Sequence, residues 1–204
     1  VTTQDLLSAF KSLVAANKLP SLSELQDATE RDSEFKDNVR YYLNTQTLKP
    51  HEINSSNSNL VTTHYRRIQK TFLNVQKICE GLEALTGSKI SCNAFHSNPG
   101  TQALPAHEDL DDSFIWQATG KKFWKVWKPY HNDLSVKNLA TNKNKENLEA
   151  WMKISTPLSF SLKEGEIYLL KAGHPHIAWT ESDSSLHFTF LVFANSTKTD
   201  TREY

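Results

Sequence analysis

Apolar residues recur at helical spacing through the first part of the chain and at alternate positions through the rest, and the period changes near residue 88. Leu6, Leu7, Phe10, Leu13 and Val14 form one stripe that Pro20 ends, which predicts a first helix. Ser21 followed by Glu24 is a capping-box pattern that opens a second, short helix. Ile68, Phe72, Val75, Ile78, Leu82 and Leu85 share a helical face, predicting a longer helix over roughly 63–86 closed by Gly87 in a left-handed cap. Between these elements "PHEINSSNSN" reads as a polar loop.

After residue 88 the period is two, and eight short strands are predicted: "KISCNAF", "QALPAHED", "SFIWQAT", "KKFWKVWK", "PLSFSLK", "EIYLLKA", "HIAWTES" and "SLHFTFLVFA". The punctuation is "NPG", "TG", "KEGE" and "AGHP", with "TG" placed as the turn of a Gly-Lys-Lys-x-Trp hairpin. One long interruption, 130–154, is charged and partly helical, as an insertion between two barrel strands would be. The organisation predicted is a helical N-terminal segment with a polar loop over 1–62, followed by a β core over 63–204. So many evenly spaced strands behind a group of helices point to a mainly β fold, a small barrel or sandwich braced by flanking helices.

Composition narrows the partners. The 204 residues carry 23 basic and 23 acidic side chains, a balance without the basic footprint of nucleic-acid binding, so nucleic acid is not expected and only tRNA is left open. No apolar run is long enough to span a bilayer, and the N-terminus lacks a signal-peptide pattern. Two cysteines, Cys79 and Cys92, do not make a disulfide framework or a thiolate metal site. These features lead to an expected cytoplasmic location without membrane contact; Cys92 reads as a small buried hydrophobe.

The histidines carry the chemistry. His107 and Asp109 stand two residues apart at the end of a predicted strand, where alternation sends both to one face. His176 opens a later strand after a Gly-Pro turn, and His174, inside that turn, competes with it. Two imidazoles and one carboxylate on a β scaffold suit non-haem Fe(II) with three open positions. Taken alone, His-x-Asp reads more readily as surface chemistry or a hydrogen-bonded pair. Lys121 and Lys122 lie on opposite faces of a strand, so one is expected to be buried among aromatics and one exposed. Trp116, Trp124 and Trp127 read as barrel filling.

The run "SCNAFHSNPGTQALPAHEDLDDSFIWQATGKKFWKVWKP", then "SLKEGEIYLLKAGHPHIAW", then "SLHFTFLVF" resembles the cupin-like, JmjC-type Fe(II)/2-oxoglutarate-dependent oxygenases over about residues 60–195. Within them it is most similar to the branch of ribosomal-protein histidine and arginine hydroxylases and the asparaginyl hydroxylase acting on hypoxia-inducible factor. The resemblance implies a double-stranded β-helix (jelly-roll/cupin) of eight core strands, with 63–204 as the oxygenase core. It implies His107, Asp109 and His176 as iron ligands and as the catalytic set, with Fe(II) as metal and 2-oxoglutarate and O2 as cosubstrates. Lys122 falls where the family holds the distal carboxylate of 2-oxoglutarate. Asn93, Ser113 and His187 are further candidates for contact with the cosubstrate, each with a structural role as the bland alternative.

The implied reaction is hydroxylation of a C–H bond, foremost in an amino-acid side chain of a protein or peptide, with release of succinate and CO2. Ribosomal oxygenases carry a dimerisation region and a winged-helix-like segment after the barrel, whereas this chain ends soon after its last strand. A small amino-acid-like molecule therefore stays open as substrate, as does a homodimer through the N-terminal helix. A cupin-type metalloenzyme using no 2-oxoglutarate would keep the triad without needing a buried Lys122. A silent JmjC-like binding module would keep only the fold.

Overall fold

A computed structural model describes residues 2–129 and 142–193. The first two helices form as expected, α1 at Thr3–Asn17 where the apolar stripe places it and α2 at Leu22–Arg31 after the capping box. Each opens with a full capping box. Ser21 Oγ accepts from Glu24 N–H (3.3 Å) while the Glu24 carboxylate accepts from Ser21 N–H (2.7 Å). Ser21→Ala removes one of these bonds, and urea unfolding should show a loss of about 0.5–2 kcal/mol. A short α3, Ser33–Asp37, follows.

The next segment departs from the expected helices, while 50–59 is the expected loop, with 3-10 turns at Pro50–Glu52 and Ser58–Leu60. Residues 39–48 form a hairpin, β1 (Val39–Leu43) and β2 (Gln46–Leu48), and β3 (Thr62–Tyr65) pairs with β1. The helix expected over 63–86 begins only at Leu73: α4 is Leu73–Thr86, after a 3-10 turn at Ile68–Lys70. Thr62 and Thr63 are β-branched and suit a strand, and Arg67 adopts a left-handed φ of 54° that separates strand from turn. Val75, Ile78, Cys79 and Leu82 are the buried face of α4, and Gly87 closes it at φ 69° as expected.

Two sheets are joined by one long strand. The core strands are β4 (Ile90–Ser97), β5 (Asp112–Val126), β6 (Leu158–Lys163), β7 (Ile167–Leu170), β8 (His176–Trp179) and β9 (Ser185–Val192). The first half of β5 pairs with β9 and β7 in the sheet that continues through β4 and β3 to β1 and β2. Its second half pairs with β6 and β8. A helix α5, Asn142–Ile154, occupies the later part of the expected insertion, whose earlier part, 130–141, lies outside the described residues.

Two strand expectations need correction. "QALPAHED" contributes only isolated bridges, Gln102 to Trp179 and His107 to His176; Pro105 at its centre has no N–H to give a ladder. The hairpin expected at Gly120 does not form, because "SFIWQAT" and "KKFWKVWK" are one strand. The register slips between Gln117 and Thr119 opposite β9, leaving Ala118 as an extra residue. This bulge exchanges the two faces. Before it the odd residues Ser113, Ile115 and Gln117 face the barrel interior; after it the even residues Lys122, Trp124 and Val126 do.

The main apolar core lies outside the barrel, between the larger sheet and the helices. Phe10 of α1 is fully buried against Phe114, Trp116 and Phe190, with ring centroids 5.2, 6.1 and 5.0 Å away. Burial of such a ring contributes about 1.5–3 kcal/mol. Cys92 and Cys79 are buried in the same cluster. Trp116 thus serves the helix interface, while Trp124 fills the barrel. A smaller cluster of Ile115, Trp124, Val126, Leu162 and Leu170 lines the barrel on the other side.

Candidate metal centre

His107 and His176 face each other across a two-bond backbone bridge. His176 N–H donates to His107 C=O (2.8 Å), and His107 N–H donates to His176 C=O (3.3 Å). The rings lie 4.2 Å apart between centroids. Asp109 is fixed from the same turn, its carbonyl accepting from Gly173 N–H (2.8 Å). Its carboxylate lies 3.8 Å from His107 Nε2 and 3.9 Å from His176 Nε2. One donor atom from each of the three residues lies within 4.8 Å of the other two, and among the described residues this is the one such cluster of three or more potential ligands. His174, the competitor in the turn, is not in it; its Nδ1 lies 3.3 Å from Ala172 C=O.

The backbone also selects the tautomer. His107 Nδ1–H donates to Pro105 C=O (2.8 Å) and His176 Nδ1–H to His174 C=O (3.0 Å). A carbonyl can only accept, so in each neutral ring Nε2 carries the free lone pair, and both lone pairs are on the side of Asp109. Burial, helped by His107, pushes the His176 pKa down to about 4, although Asp109 opposes it. The imidazole is therefore neutral at physiological pH and competent as a ligand. The donor set, two imidazoles and one carboxylate on rigid backbone, fits an Fe(II)-type divalent ion.

Deeper in the barrel lies Lys122, 1 % exposed, with its amine donating to Ser97 Oγ. Its neighbour Lys121 lies on the outer face, 4.6 Å from the Phe123 ring centroid. Ser97 accepts from Thr62 Oγ1 (3.1 Å), and Thr62 shares a bond with Thr101 Oγ1 (3.0 Å). This buried hydroxyl chain was not foreseen. Its members come from β3, β4 and a loop, and no spacing in the sequence brings them together.

The other candidates separate. Asn93 Oδ1 accepts from the backbone N–H of Arg67 (3.0 Å), holding the left-handed residue ahead of α4. Ser113 Oγ, His187 Nδ1 and Trp124 Nε1 are buried polar atoms with no hydrogen-bond partner. Such groups are costly unless something meets them. His187 stacks on Phe95 at 5.0 Å and meets Trp124 edge-on at 5.6 Å; Trp124 in turn lies 6.1 Å from His176. From His176 through Trp124 to His187, which is near enough to Lys122 to feel its charge, the interior carries buried polar atoms short of partners. That arrangement suits an elongated polar ligand with an acidic far end.

Comparison with known proteins shows the family and the fold. The chain is 30% identical to Ribosomal oxygenase 2 of Mus musculus over 66% of its length and 28% of that protein's. It is 31% identical to the bifunctional lysine-specific demethylase and histidyl-hydroxylase NO66 of Dictyostelium discoideum over 61% of its length and 24% of that protein's. It thus spans about a quarter of the length of these relatives. The fold is similar to the crystal structure of Escherichia coli ribosomal oxygenase YcfD, with TM-score 0.60 and 18% identity over 87% of this chain and 45% of that one. A structure of the same protein in complex with cobalt and 2-oxoglutarate matches at TM-score 0.58 and 16% identity over the same shares. Residues 66–200, which hold the triad and Lys122, match the JmjC domain, and the chain belongs to that family.

Proposed function

We propose that the protein is an Fe(II)/2-oxoglutarate-dependent dioxygenase that hydroxylates a C–H bond of an amino-acid side chain in a protein or peptide. The observation that carries this reading is the pairing of a preorganised His107–Asp109–His176 cluster with a buried Lys122 in one barrel. A metal-only cupin has no use for an ammonium group buried at the far end of its pocket, and a silent binding module has no use for three aligned ligands. Relatives named as an oxygenase and as a histidyl-hydroxylase support a protein substrate.

His107 and His176 would hold the metal through Nε2 and Asp109 through a carboxylate oxygen. Bound Fe(II) and 2-oxoglutarate supply the O2 activation and the oxidising equivalents for hydroxylation, with succinate and CO2 as coproducts. Lys122 and Ser97 bind the distal carboxylate, and Ser113, Trp124 and His187 provide polar atoms between Lys122 and the metal. The apolar wall of Val126, Trp124 and Leu162 excludes water from the same space. No helix among the described residues is long and apolar enough to cross a membrane. Two free, buried cysteines, Cys79 and Cys92, support a reducing, cytoplasmic location.

Calorimetry with 2-oxoglutarate tests the assignment of Lys122. Metal-loaded protein should bind the cosubstrate, and Lys122→Ala should weaken binding by about 30-fold or more, the effect of truncating one partner of a buried charge pair. Equal affinity in the two proteins would remove Lys122 from the site.

A further inference from the structure

The hydrogen-bond partner of the Lys122 amine is the Ser97 hydroxyl, and no carboxylate among the described residues lies in ion-pair distance of it. Ser97 and Thr62 are fully buried, and Thr101 N–H donates to Thr180 Oγ1 (3.0 Å), so the chain is closed to solvent at its far end. Hydroxyls stabilise a buried ammonium much less than a carboxylate does. The titratable groups close enough to feel Lys122 are His187 of β9 and His96 of β4, with His64 of β3 behind the Phe95 ring. Burial lowers the pKa of each, so all three are neutral at pH 7 and give Lys122 no counter-charge. β6 offers only Leu162 opposite Lys122 in register.

We propose that this pocket binds its dicarboxylate together with one proton, taken up by Lys122. The proposal rests on the oxygenase reading above and adds a coupling between cosubstrate occupancy and pH. Without the anion, burial brings Lys122 down to about 7, so the amine is mostly neutral at pH 8. A carboxylate against the amine restores the charged form, and the complex then holds more protons than the free protein. The sign follows from linkage. Affinity is flat below pH 7 and falls as pH rises above it, approaching tenfold per unit, until the complex itself loses the proton.

Calorimetric titration of Mn(II)-loaded protein with 2-oxoglutarate, in two buffers of different ionisation enthalpy, reads the proton directly. The expected uptake is about 0.9 proton per ligand at pH 8 and about 0.1 at pH 6. Lys122→Arg, which stays charged throughout, should bind without this uptake and with a flat pH profile. Uptake that persists in that variant would place the proton elsewhere and overturn the proposal. Binding by the wild type with no uptake at pH 8 would overturn it too, while leaving the oxygenase reading intact. No binding of 2-oxoglutarate at either pH would overturn that reading as well.

Discussion

His107→Ala is expected to lower affinity for Fe(II) or Mn(II) by more than about 100-fold, beyond the 10–100-fold that loss of a residue merely supporting a ligand costs. The wild-type site is assembled before any ion arrives. Both imidazoles are locked by backbone carbonyls with Nε2 free, and Asp109 lies under 4 Å from each. Removing one arm leaves two donors, too few to hold a divalent ion in a cytosol-like excess of competing ligands. The His107 side chain is 32% exposed, so its truncation opens no deep cavity, and the backbone bridge to His176 survives. Circular dichroism and thermal unfolding of the metal-free variant should therefore match the wild type. Metal affinity equal to the wild type's in a folded His107→Ala variant would contradict the ligand set.

Gly120→Ala is expected to be more disruptive than the same change at Gly81, Gly87, Gly100 or Gly165. At φ 68° an L side chain already costs about 1–2 kcal/mol. The added Cβ would also stand 2.0 Å from the carbonyl oxygen of Ser184, a backbone atom that no rotamer change can move aside. β5 must shift against β9, and Lys122 shifts with it two residues later. Urea unfolding should show a loss of about 3 kcal/mol or more, in the range reserved for forced backbone strain. Gly165→Ala is the matched control: its φ is 79° but nothing lies within 4 Å of the new Cβ. Its cost should stay near the conformational term alone. Similar losses in the two variants would mean that the close approach of β5 to Ser184 does not constrain the strand.

Gly120 also explains where sequence reasoning stopped. A Thr-Gly pair between two aromatic runs has the composition of a turn, and only the neighbouring chain at Ser184 decides that the strand runs straight through. Periodicity found α1, the end of α4 and β9, because their apolar spacing reflects one packed face, and the Ser21–Glu24 capping box found α2. It missed β1 and β2 and turned the strand at Thr62–Tyr65 into helix, because Ile68 and Phe72 are apolar at a helical interval from Val75 while serving a turn. The site was legible in its ligands. His107 and Asp109 stand two residues apart in sequence, and His176 follows a recognisable turn. Lys122 was separable from Lys121 by alternation, but its inward face depends on the bulge at Ala118. Ser97, Thr62 and Thr101 were invisible, because hydroxyl residues on strands are common and only long-range pairing collects them.

The two layers of the molecule divide the work. The helix-facing core around Phe10 holds the larger sheet, and the barrel it supports is left free to carry buried polar groups that a main core would exclude. A lysine, unpartnered imidazole and indole nitrogens and a free hydroxyl, all buried, are costly to folding, which supports the proposed ligand site. The measurement closest to the central claim is succinate release from Fe(II)-loaded protein given 2-oxoglutarate and O2. Slow, substrate-independent release that disappears in His107→Ala and weakens in Lys122→Ala is the predicted result. Fully metal-loaded, folded wild-type protein that neither binds 2-oxoglutarate nor releases succinate would contradict it.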